Sequence, residues 1–202
     1  PSSWNWFSFM ENYFLLSLYS KKYKLALELL EKTLADNFIS KLNKSSLERW
    51  ELNRRYLMLL LHHLPESERL EVKSTHLISE ELTLLSKDKE GFNLSLMLLE
   101  LMTDLTDLEL DDFEPYVDRL KKYISKYLRG EKAERPRLFV RLLLLVIKEN
   151  LHYFSVQKKS RGLYQKLKNT PPPKDAIVEI EIVPYEHLWE LMLRSLRERL
   201  KV

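Results

Sequence analysis

Apolar residues return at steps of three and four along most of the chain, the period of an amphipathic helix. Tyr23, Ala26, Leu27, Leu30 and Leu34 mark one such helix over about 22–36. Just before it, WNWFSFMENYFLLSLY (4–19) is apolar nearly all round and stops at Ser20-Lys21-Lys22. That pattern predicts a helix covered on more than one side, forming an αα-hairpin with 22–36. Ser45 followed by Glu48 is a capping-box pattern, and it predicts a third helix through Trp50, Leu57 and Leu61 that stops before Pro65. The stretch 66–90 is less regular and is expected to hold one or two short helices, with Ser86 to Gly91 as a solvated turn.

Phe92 to Leu105 is again strongly apolar, and Phe113, Tyr116, Val117, Leu120, Ile124, Tyr127 and Leu128 trace a clear helical stripe that Gly130 ends. Pro136 is expected to open a helix over about 136–154, and a shorter basic helix follows over about 156–168 despite Gly162. Three successive prolines, 171–173, then force extended backbone. AIVEIEIV (176–183) alternates apolar and acidic residues over Val178 to Ile182, the period of a strand. Pro184 fits the first turn of a last helix through Trp189, Met192 and Leu196. The expected fold is all-α, a helix-hairpin solenoid of about eight or nine helices in one domain over 1–202, with one short extended segment near 176–183.

MENYFLLSLYSKKYKLALELLEKTL (10–34) resembles one tetratricopeptide-type unit: a helix, a short turn, then a tyrosine followed by Ala26 and a leucine-rich second helix. Phe14 stands where that family places a small residue, and no second copy recurs at the 34-residue period. From SKDKEGFNLSL to VEIEIVPYEHLWELML the chain is similar to the ends of large bacterial helical-repeat proteins of uncharacterised activity. The resemblance implies a solenoid that serves as a scaffold for peptides or partner proteins, and it brings no activity with it.

Composition agrees with a helical chain, since only three glycines accompany 45% apolar and 31% charged residues. The absence of cysteine excludes a disulfide framework, a thiolate metal site and a cysteine nucleophile, and it fits a reducing compartment, so a cytoplasmic location is expected. The longest apolar run, Leu142 to Ile147, falls far short of the roughly 20 residues that cross a bilayer, so no membrane partner is expected. The chain starts at Pro1 without a methionine, as expected of the C-terminal fragment of a longer chain.

Catalytic and metal signatures are weak. Glu149-x-x-His152 has the i, i+3 spacing of a di-iron ligand pair, but its only counterpart is the reversed His187-x-x-Glu190. His62 and His63 are adjacent, so their rings diverge on a helix. No phosphate-cradling or nucleophile-elbow motif occurs, and nothing sets the pKa of Asp111, Asp112, Glu80 or Glu81 apart from other carboxylates. No catalytic residue, metal ligand or cofactor is assigned.

Charge patterning is more informative. Residues 119–168 hold 15 Lys and Arg against 3 acids, a local net charge of +12 inside a chain of +3, while 100–118 hold eight acids and no cation. Ordinary surfaces intersperse the two signs. Arg119, Lys122, Lys126 and Arg129 share one helical face, Arg137, Arg141 and Lys148 a second, and Lys158, Arg161 and Lys168 a third, with Lys159 beside them. Solvated helix exteriors and neutralisation by the 100–118 acids are the competing accounts. The functional expectation is a non-catalytic scaffold whose basic surface (Arg119, Lys122, Lys126, Arg129, Arg137, Arg141, Lys158, Lys159, Arg161, Lys168) contacts an acidic protein surface or peptide. The alternative is a nucleic-acid-binding helical module, with Tyr123, Tyr127, Tyr153 and Tyr164 among the cations. The aromatic excess of 4–19 predicts a homodimer through that helix.

Overall fold

The structure is a computed structural model, and it describes residues 3–65, 68, 70, 82, 91–107, 113–127, 133–172 and 181–201. Among these the chain is all-α: α1 (Trp4–Tyr19), α2 (Tyr23–Leu34), α3 (Lys44–His62), α4 (Phe92–Asp107), α5 (Glu114–Tyr127), α6 (Glu134–Lys148), α7 (Tyr153–Asn169) and α8 (Tyr185–Glu198). Short 3-10 turns follow α2 at Asn37–Lys41 and α8 at Arg199–Lys201. None of the described helices is long and apolar enough to cross a membrane. The chain divides into two compact units, Pro1–Lys87 and Asp88–Val202.

In the first unit α1 and α2 form the expected hairpin, and α2 packs on α3. The α1–α2 turn closes with Lys21 in the left-handed region (φ 54°). The Lys22 N–H donates to the Ser17 carbonyl at 2.8 Å and the Lys21 N–H to that of Leu18 at 3.1 Å, the double closure of a Schellman motif. Phe14, Leu18, Ala26, Leu30, Trp50 and Leu57 fill the core, with Phe14 and Trp50 ring centroids 5.9 Å apart. Asn43, not Ser45, caps α3: its side chain accepts the Ser46 N–H at 2.9 Å. Glu48 is buried and lies 3.7 Å from Lys44.

The second unit pairs α4 with α5 and α8, and sets α6, α7 and α8 against one another. Phe139, Leu142, Leu143 and Val146 of α6 and Leu188, Trp189, Met192 and Leu196 of α8 supply its core. The boundary expected between helices over 136–154 and 156–168 lies earlier: α6 ends at Lys148 and α7 starts at Tyr153. Asn150 (φ 48°) and Leu151 (φ 59°) make this break, with the Leu151 N–H donating to the Val146 carbonyl at 3.0 Å. It is the α1–α2 closure repeated with asparagine in the left-handed position. His152 then caps α7 through Nδ1, which accepts the Ser155 N–H at 3.3 Å. Most of the extended segment expected near 176–183 lies outside the described residues, and Glu181, Ile182 and Val183, which are described, are buried and form no strand.

Candidate partner-binding face of the second unit

The described cations of 119–168, all but Arg129 and Lys132, sit on α5, α6 and α7, each packed on the next. They fall into three groups with different surroundings. Arg129 lies outside the described residues.

One cation points inward. Arg135, in the first turn of α6, is 4% exposed. Its Nε donates to Glu181 Oε2 at 3.0 Å and its Nη2 to Glu181 Oε1 at 2.6 Å. Nη2 also donates to Glu186 Oε2 at 2.7 Å, and Nη1 to Glu186 Oε1 at 3.0 Å. Nη1 further reaches the Leu167 and Thr170 carbonyls at 3.1 and 2.7 Å. Glu181 Oε1 accepts the Tyr185 N–H at 2.9 Å as well, and the Tyr185 ring stacks on Phe139 at 4.5 Å. Burial alone would favour the neutral guanidine, but hydrogen bonds and charge from Glu181 and Glu186 outweigh it and hold the Arg135 pKa above its ordinary value. The knot ties the start of α6, the end of α7 and the entry to α8.

A second group is neutralised in place. Lys159 lies 2.7 Å from Glu149 and Lys166 2.8 Å from Glu134, so both cations on one side of α7 are paired to α6 or its C-cap. The Lys166 hydrogen bond and charge hold the Glu134 carboxyl below its ordinary value. On α5, Arg119 lies over the Tyr116 ring at 5.0 Å and 3.9 Å from Glu100 of α4. The negative charge of Asp104, then burial and Glu100, raise the Tyr116 hydroxyl pKa, with Arg119 opposing. Here the acidic segment does lie beside a basic helix. Lys126 and Arg137 also have interaction partners, so neither stands free.

The third group faces outward: Lys122, Arg141, Lys148, Lys158, Arg161 and Lys168 are exposed. On α7, Val156, Ser160 and Leu167 are buried, and Tyr164 leans on Trp189 with centroids 6.4 Å apart. That anchoring turns Phe154, Lys158, Arg161, Gln165 and Lys168 to one exposed face. At 1.5 Å per residue the face runs about 21 Å. Phe154, 60% exposed, stands at one end beside Tyr153, and no acid occurs anywhere in α7.

The other residues singled out in the sequence have ordinary structural partners. Glu149 holds Lys159, His152 caps α7, and the His62 and His63 rings meet edge to face at 4.9 Å. Tyr123, Tyr153 and Tyr164 are only half-exposed, Tyr153 accepting from Gln157 at 2.9 Å. The Tyr127 side chain and Asp111, Asp112, Glu80 and Glu81 lie outside the described residues. An open groove of about 600 Å³ in the first unit, lined in part by Lys21, Lys22, Lys24, Glu28 and Leu64, mixes both signs of charge. Arg135, Glu181 and Glu186 carry no mark in the sequence, because an arginine in a basic run, a glutamate in an alternating run and a glutamate in the first turn of a helix all read as surface residues. Comparison with protein-family models, curated proteins and solved structures finds no match.

Proposed function

We propose that the protein is a non-catalytic interaction scaffold, a tetratricopeptide-like helical-repeat protein of the bacterial cytoplasm, whose outward α7 face binds an acidic protein surface or peptide. The observation that carries this reading is the separation of the α7 cations. Lys159 and Lys166 are paired to carboxylates, while Lys158, Arg161 and Lys168 line an exposed face that has no acid of its own and ends in exposed Phe154. Long-range attraction from such a face speeds association and weakens with salt, and an exposed aromatic ring beside it gives a protein partner an apolar contact that a phosphate backbone does not use. The half-buried state of Tyr123, Tyr153 and Tyr164 means that these three described tyrosines offer no row of exposed rings for base stacking, which favours a protein partner over nucleic acid. A second contact belongs to the same reading: Phe9, Tyr13 and Leu16 form an exposed, uncharged stripe on α1 suited to the same stripe of a second copy.

The test compares a fluorescent acidic peptide and a DNA duplex as ligands of the full chain at low and moderate salt. The expected result is peptide binding that weakens with salt and persists when unlabelled duplex competes. Duplex binding that is tighter than peptide binding, with a steep logarithmic salt slope of about −4 to −5, supports the nucleic-acid alternative instead.

A further inference from the structure

α1 carries one charged side chain, Glu11, and it turns to Arg49 of α3 at 3.1 Å. Asn5, Phe9, Asn12, Tyr13, Leu16 and Ser20 are exposed. By the helical period these positions fall within about 100° of the circumference, on the side away from Glu11, and they run about 22 Å along the axis. The Phe9 and Tyr13 rings lie side by side on this face, with centroids 6.0 Å apart.

In a chain of which 31% is charged, this face has no charge to offer a charged partner and none with which to repel its own copy. Its chemistry also matches end to end. Turned about the midpoint between Asn12 and Tyr13, the exposed positions fall on one another: polar Asn5 on polar Ser20, apolar Phe9 on apolar Leu16, and Asn12 on Tyr13. A two-fold contact asks for that reciprocity, residue i meeting j and j meeting i. A parallel pairing would set each residue on itself and align the two macrodipoles, and α1 has no acid in its first turn and no base in its last to offset them. Phe9, Tyr13 and Leu16 are 62%, 40% and 64% exposed, so with about 150–250 Å² for a whole aromatic side chain the stripe offers of the order of 300 Å² of apolar surface per copy. A standard interface covers about 800 Å² per partner, so this one suits a weak, reversible dimer.

We infer that two copies of the chain associate through α1, antiparallel, on a two-fold axis that passes between Asn12 and Tyr13. Phe9 of each copy packs on Leu16 of the other, Asn12 hydrogen-bonds to the Tyr13 hydroxyl of the other, and Asn5 meets Ser20 at both ends. This rests on the reading of the α1 stripe as a contact with a second copy and adds to it the direction, the register and the residue pairs.

The chain has no cysteine, so an introduced thiol is the only one present. Asn5→Cys, Asn12→Cys and Ser20→Cys, all at exposed positions, are treated in the full chain with a bismaleimide spanning about 8–10 Å, the separation of packed helix axes, and covalent dimer is read on denaturing gels. Asn12→Cys, next to the axis, is expected to form dimer by itself. Asn5→Cys and Ser20→Cys are each expected to form almost none alone and to form dimer when mixed. Phe9→Asp added to Asn12→Cys is expected to slow its crosslinking about tenfold, because a carboxylate then enters the apolar contact. If Asn5→Cys and Ser20→Cys each crosslink alone and their mixture gives no more, the antiparallel register is overturned and the dimer through α1 stands. If Asn12→Cys does not crosslink, or crosslinks no faster than with Phe9→Asp, α1 meets no second copy and both are overturned.

Discussion

Arg135 and Glu181 face each other with two hydrogen bonds, 3.0 Å from Nε and 2.6 Å from Nη2, across 46 residues of sequence. Both side chains are almost wholly shielded from water, so the pair holds the chain before α8 onto the start of α6. Removing one member of a buried, hydrogen-bonded pair strands the other charge and costs about 3–5 kcal/mol. Arg135→Met is therefore expected to destabilise the second unit by that amount in urea unfolding. A loss below about 1 kcal/mol would show that the remaining Glu181 and Glu186 carboxylates find water.

Glu11 gives the first unit a pH response. Burial, opposed by Arg49 at 3.1 Å and by Asn53, raises its carboxyl pKa above the ordinary 4.5. A folded-state pKa above the unfolded one means stability that is fully present below the unfolded value and lost as pH rises through the folded value. Unfolding followed against pH should show the wild type losing stability relative to Glu11→Gln as pH climbs above 4.5. A difference that is flat with pH contradicts the assignment.

The cap of α3 separates the structure from the sequence pattern. Asn43→Ala is expected to cost about 1 kcal/mol, because the Ser46 N–H loses its acceptor, whereas Ser45→Ala is expected to be close to neutral. Chemical denaturation of the two variants decides between them.

The periodicity of apolar residues is enough to place α2, α3 and α8, because each carries a long stripe and its ends are marked by lysines, prolines or a cap residue, while α1 shows as a long apolar run that stops at Ser20-Lys21-Lys22. Periodicity is not enough at 149–152. There the break is made by Asn150 and Leu151 in left-handed backbone, with no glycine or proline to announce it, so the periodicity places the boundary between the two helices near 155, several residues too late. Asn43 is masked as a cap in the sequence because Ser45 and Glu48 fit a capping-box pattern two residues on. The basic block was legible as charge, but its sorting was not. Whether a lysine pairs depends on which helix lies beside it, and the carboxylates of Glu134 and Glu149 reach Lys166 and Lys159 only once α6 and α7 fold back on each other. Arg135 is the extreme case, since the carboxylates that draw it inside lie far along the chain.

The apolar stripe of α1 carries a prediction of its own. Phe9 and Leu16 are 62% and 64% exposed, and the one acid of the helix, Glu11, turns to Arg49. Sedimentation of the full chain should show self-association that grows with concentration and disappears in Phe9→Asp and Leu16→Asp. A wild type that stays monomeric at high concentration contradicts this.

The division between paired and outward cations of α7 decides what this face binds. Peptide binding should be compared in two variants of matched stability, one with Lys158, Arg161 and Lys168 replaced by glutamate, the other with Lys159 and Lys166 replaced by alanine. The first is expected to lose acidic-peptide binding and its salt dependence, while the second, whose lysines are already held by Glu149 and Glu134, is expected to keep both. Equal loss in the two variants, or loss confined to the second, would contradict this division.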